Sequence, residues 1–121
     1  MTQQELARSA TYIVQHAYEH ATVTAADGRQ AGVGEFCGDP AVALIDVNEQ
    51  WCAVAGEGLV ICRLAPSFGP CAAYFRQPGA VRWVTGLRQT GAFALEWQDE
   101  EGVWSALDVE AADVSAYAPG R

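Results

Sequence analysis

The first twenty residues carry apolar side chains at three- and four-residue spacing. After Thr2 and Glu5, which stand at capping-box distance, Leu6, Ala10, Ile13, Val14, Ala17, Tyr18 and Ala21 fall on one stripe of a helical wheel. The spacing predicts a helix over about residues 3–21. The β-branched run Thr22, Val23 and Thr24 ends it, and Asp27-Gly28 supplies a tight turn that opens a short hairpin or loop.

From Ala41 the pattern changes to extended apolar runs at 41–47, 51–55 and 59–64, separated by Asn48-Glu49-Gln50 and Gly56-Glu57-Gly58. These read as three strands, and connections so short force antiparallel pairing. Pro66, Gly69, Pro70, Pro78 and Gly79 mark 65–79 as a long loop with a short extended piece around 72–75. Strands are expected again at 80–85, 92–98 and 103–109, bounded by Gly86, Gly91 and Gly102, as a second antiparallel meander. Phe93, Leu95 and Trp97 alternate with Ala94 and Glu96, which gives that strand one buried and one wet face. The expected fold is therefore α+β. One N-terminal helix packs on an antiparallel sheet of about five to seven strands built from meanders, in a single domain over residues 1–121.

Composition agrees with a folded domain: of 121 residues, 50% are hydrophobic and 10% aromatic, too apolar for disorder. No apolar run is long enough to span a membrane, and the N-terminus lacks the basic-then-apolar order of an export signal. A cytoplasmic location follows as the expectation, with the four cysteines reduced. All seven basic residues are arginine, which suggests the coding bias of a GC-rich bacterial genome.

Charge is sorted along the chain. Between Gly58 and Leu95 stand Arg63, Arg76, Arg82 and Arg88 with no acid, whereas Glu96, Asp99, Glu100, Glu101, Asp108, Glu110 and Asp113 follow with no base. With a net charge of −8, this balance disfavours nucleic acid as a ligand and favours a basic protein partner. Trp51, Trp83, Trp97 and Trp104 are expected mostly in the core. Trp104 is the one expected to be most exposed, because it shares a strand face with Ala106 and Asp108, and an aromatic beside acids is typical of an interface anchor.

Catalytic chemistry is not indicated. His16 and His20 lie four apart, but Ala17 stands where a zincin has glutamate, and both read as edge residues of the helical stripe. Cys37, Cys52, Cys62 and Cys71 lack the short paired spacing of zinc sites; a turn centred on Glu57 would put Cys52 opposite Cys62 as small buried side chains. Gly32-x-Gly34 and Gly56-x-Gly58 do not extend to phosphate-loop motifs, and no serine sits in Gly-x-Ser-x-Gly. No metal or cofactor is expected.

These features point to a small, acidic, cytoplasmic binding protein, not an enzyme, that inhibits a basic protein partner. In general character the chain looks like an immunity protein that neutralises a bacterial toxin, a resemblance of type that rests on no particular residues. Its expected partner surface is Glu96, Asp99, Glu100, Glu101, Trp104, Asp108, Glu110 and Asp113. Two alternatives stand beside it. One is a ligand-binding domain or enzyme with a pocket between the helix and the sheet, using His16 or His20 with a carboxylate as acid and base. The other is an acidic nucleic-acid mimic that blocks a DNA-binding protein, which requires carboxylates at phosphate-like intervals over one long face.

Overall fold

The computed structural model describes residues 3–36, 38–65, 67–69 and 71–109. Among them there are eleven strands and no helix, so the fold is all-β and the expected N-terminal helix does not form. Residues 3–21 make strands β1 (Gln4–Arg8) and β2 (Tyr12–Ala17) and the start of β3 (His20–Ala25). The helical stripe was also compatible with a hairpin: Tyr12, Val14 and His16 point inward on β2, opposite Ala25, Val23 and Ala21 on β3. What hides the hairpin is its turn. Tyr18 adopts a left-handed φ of 53°, in a two-residue connection where Gly or Asn would be the usual signal. β4 (Gln30–Glu35) follows the Asp27-Gly28 turn and completes an antiparallel sheet in the order β1-β2-β3-β4.

β5 (Val42–Ile45), β6 (Trp51–Gly56), β7 (Gly58–Arg63) and β8 (Cys71–Tyr74) form a second meander, close to the bounds expected from the apolar runs. The third meander is β9 (Gly86–Gly91), β10 (Ala94–Gln98) and β11 (Trp104–Asp108). Here the expectation is corrected at one strand. Residues 80–85 make no strand but a single bridge, Glu57 to Trp83, and the strand lies one step later, at β9. β9 is an edge strand whose Arg88, Gln89 and Thr90 are polar, so it lacks the apolar run that identifies a central strand.

The β5–β8 sheet lies between the other two. Along β6 and β7, side chains alternate between two separate cores: Cys52, Val54, Val60 and Cys62 meet Val14 and Val23 of the first sheet and Phe36 just past β4, while Trp51, Ala53, Leu59 and Ile61 meet Leu95 and Trp97 of the third. A sheet covered on both faces needs apolar residues at every position, which is why these strands read as unbroken runs rather than alternating ones. Buried Asp46, 1% exposed, ties the layers together. Its carboxylate accepts hydrogen bonds from Gln50 N at 3.0 Å and from Gln89 Nε2 of β9 at 2.7 Å.

A further correction concerns the cysteines. Cys62 on β7 and Cys71 on β8 are register partners and form a disulfide, where reduced thiols were expected. Cys52 lies opposite Cys62, as the turn at Glu57 implies, and is a buried free thiol. Cys37 lies outside the described residues.

Candidate partner-binding surface

The β10–β11 hairpin carries most of the acidic block. Its strands pair from Ala94↔Asp108 to Gln98↔Trp104, so Glu96, Trp104, Ala106 and Asp108 share the face turned away from the core. Across the hairpin tip the carboxylate of Asp99 accepts the backbone N–H groups of Glu101 at 2.9 Å and Val103 at 3.0 Å, and Gly102 takes φ 85°. Asp99 therefore shapes the turn. Its neighbours Glu100 and Glu101 are exposed at the tip, and among the described residues no ion pair or side-chain hydrogen bond engages their carboxylates.

The remaining predicted residues divide. Glu96 pairs with Arg88 directly across the strand, with Arg88 Nε and Nη2 each 2.6 Å from its Oε1. The same guanidinium lies 4.0 Å from the ring centroid of Trp104, so that indole is half-buried beneath a cation. Asp108 is exposed further along β11, and its charge, second to burial, raises the Tyr74 hydroxyl above the ordinary tyrosine range. Glu110 and Asp113 lie outside the described residues.

The most exposed tryptophan is Trp83, at 41%, and not Trp104 as the strand pattern suggested. Trp83 stands on an arm, residues 81–85, threaded between two hairpin tips. Gly58 N donates to Arg82 O at 2.7 Å and Val84 N to Gly56 O at 2.8 Å, while Thr85 N donates to Gln98 O at 2.8 Å and Thr85 Oγ1 to Asp99 O at 2.9 Å. The arm is thereby fixed beside the acidic tip. Val81, Arg82 and Trp83 on one wall and Asp99, Glu100 and Glu101 on the other enclose an open cleft of about 200 Å³. Strand placement concealed this pairing of apolar arm and acidic turn, because residues 80–85 read as a ladder strand. Assigning β9 to 86–91 would have revealed both the Arg88–Glu96 pair and the exposure of Trp83.

Elsewhere, five acids are engaged locally, while Asp39 and Glu57 form no ion pair among the described residues. Glu5 pairs with Arg8 and Asp27 with Arg29, each at 2.7 Å; Glu35 lies 3.8 Å from His20; Glu19 accepts the Gly38 N–H; and Glu49 accepts Ser9 Oγ–H and the Thr11 N–H. The Ser9 hydroxyl, ahead of the other contributors, holds the Glu49 carboxyl below the usual glutamate range. His16 is buried with Nδ1 2.8 Å from Tyr18 O, whereas His20 faces the opposite side of its sheet. The two imidazoles cannot act together. Without a helix, the pocket expected between helix and sheet has no counterpart. No group of three or more metal-ligating side chains exists among the described residues, and they include no helix long and apolar enough to cross a membrane.

No protein-family model matches the chain, and neither does any curated protein or solved structure.

Proposed function

We propose that the protein is a small binding module that holds a cationic segment of a partner protein against the β10–β11 tip, with Trp83 as the apolar anchor. The observation that carries this reading is the juxtaposition of Glu100 and Glu101, which form no ion pair among the described residues although Arg82 lines the same cleft, with exposed Val81 and Trp83. Exposed carboxylates speed encounter with a cation, and a desolvated aromatic slows departure. Inhibition of a basic bacterial protein, as an immunity protein does to its toxin, is the form of this activity we favour. The carboxylates are compact rather than spaced along a face, which supports this reading over a nucleic-acid mimic.

The test uses the partner captured from the native host. Replacing Glu100 and Glu101 together by serine should slow association about tenfold at low salt and flatten its salt dependence. Trp83→Ala should instead raise the dissociation rate, costing about 2 kcal/mol of affinity. Asp99 is left intact because its carboxylate builds the turn. Unaltered association in the double variant disposes of the proposal.

A further inference from the structure

Three cysteines form one row across the central sheet. Cys52 on β6, Cys62 on β7 and Cys71 on β8 are successive register partners, and all three side chains belong to the core between the first two sheets. The two ends of the row differ. The order β5-β6-β7-β8 makes β8 an edge, so among the described residues no further strand of this sheet lies beyond Cys71, whereas Cys52 stands beyond Cys62. Thiol–disulfide exchange displaces one sulfur in line with the breaking bond, and its rate depends on which sulfur can be reached. Exposure falls inward along the row, from 9% at Cys71 to 4% at Cys62 and 0% at Cys52, so the approach from solution is along the edge, onto Cys71.

A cleft of about 260 Å³ opens there, lined among others by His20, Gly32, Gly34, Cys71, Ala73 and Arg76; Cys52 and Cys62 do not line it. Arg76 is held at its rim. The guanidinium lies 4.9 Å from the Phe36 ring centroid and donates to the Glu35 carbonyl oxygen. Glycine at 58, with φ 86°, makes room for this side chain, because a Cβ there would collide with Arg76 Cγ. His20 stands on the same rim, its Nδ1 3.8 Å from the solvent-facing Glu35 carboxylate. The cleft thus has a fixed guanidinium and Cys71 in one lining, on a molecule of net charge −8.

We propose that this cleft admits an anionic small-molecule thiol that opens the disulfide at Cys71. The incoming thiolate bonds to Cys71 Sγ, the Cys62–Cys71 bond breaks, and its electron pair leaves on Cys62, which takes a proton from solvent. The products are a mixed disulfide at the sheet edge and a buried Cys62 thiol facing Cys52. Burial pushes the Cys52 thiol up to about 12, so it stays protonated and does not compete as the attacking group near neutral pH.

The experiment compares glutathione, an anionic thiol, with cysteamine, a cationic one, reacting with the native protein under acid quench and peptide mass mapping. Rates are corrected for each thiol's ionised fraction. The first adduct should sit on Cys71, and the glutathione-to-cysteamine rate ratio should fall about threefold or more in Arg76→Gln while Arg76→Lys retains it. An adduct on Cys62, or a ratio indifferent to Arg76→Gln, overturns the proposal. So does reduction that proceeds only as fast as global unfolding.

Discussion

Cys52 and Gly58 show how far single positions are constrained by their surroundings. The Cys52 thiol ionises near pH 9 in an unfolded chain but stays protonated to about pH 12 in the folded one, because burial penalises the thiolate. A group whose folded pKa is raised contributes fully below the unfolded value and loses that contribution as pH climbs toward the folded one. Between pH 9 and 12 it should therefore remove roughly 1.4 kcal/mol of stability per pH unit. Denaturant titrations in that window should show a shallower decline for Cys52→Ala; identical slopes would contradict a buried neutral thiol. Gly58 is constrained by space as well as by φ. A Cβ would meet Arg76 Cγ and come within 2.9 Å of the Tyr74 carbonyl oxygen, whereas Gly28, at φ 93°, has nothing within 4 Å. Gly28→Ala should cost about 1 kcal/mol, the conformational penalty alone, and Gly58→Ala about 2–4 kcal/mol. Equal losses for the two would mean that Arg76 does not occupy that space.

At the scale of elements, strands covered on both sides were legible and strands defined by their turns were not. The runs at 51–55 and 59–64 are apolar at nearly every position because each strand feeds two cores. β2 and β3 were concealed by Tyr18, whose exposed ring and positive φ give no turn signal, so that seven apolar residues could be read at helical spacing. The same residue offers a test. Tyr18→Gly should stabilise the protein by about 0.5–1 kcal/mol, because glycine adopts φ 53° without the strain a side chain imposes; destabilisation would contradict the hairpin turn. The candidate surface was half legible. The acidic turn at 99–102 followed from Asp99 and Gly102, but its apolar wall did not, since residues 81–85 gain their place from backbone bonds to two distant hairpins. The cross-strand pairing that neutralises Glu96 was hidden for the related reason that β9 carries polar residues at a sheet edge.

Across the whole molecule, a net charge of −8 is not spread evenly. Surface pairs such as Glu5–Arg8, Asp27–Arg29 and Glu96–Arg88 add little stability individually, but each removes a carboxylate from the outward field. What they leave at the β10–β11 tip is two adjacent acids that share a cleft with Arg82 and an exposed indole, and the proposed activity depends on that arrangement. The most direct measurement is an NMR titration of the protein with an oligoarginine peptide. The account predicts shifts centred on the Glu100 and Glu101 amides and the Trp83 indole N–H, weakening with added salt and lost when both glutamates are serine. Shifts centred on another face, or shifts that persist in the double variant, would contradict it.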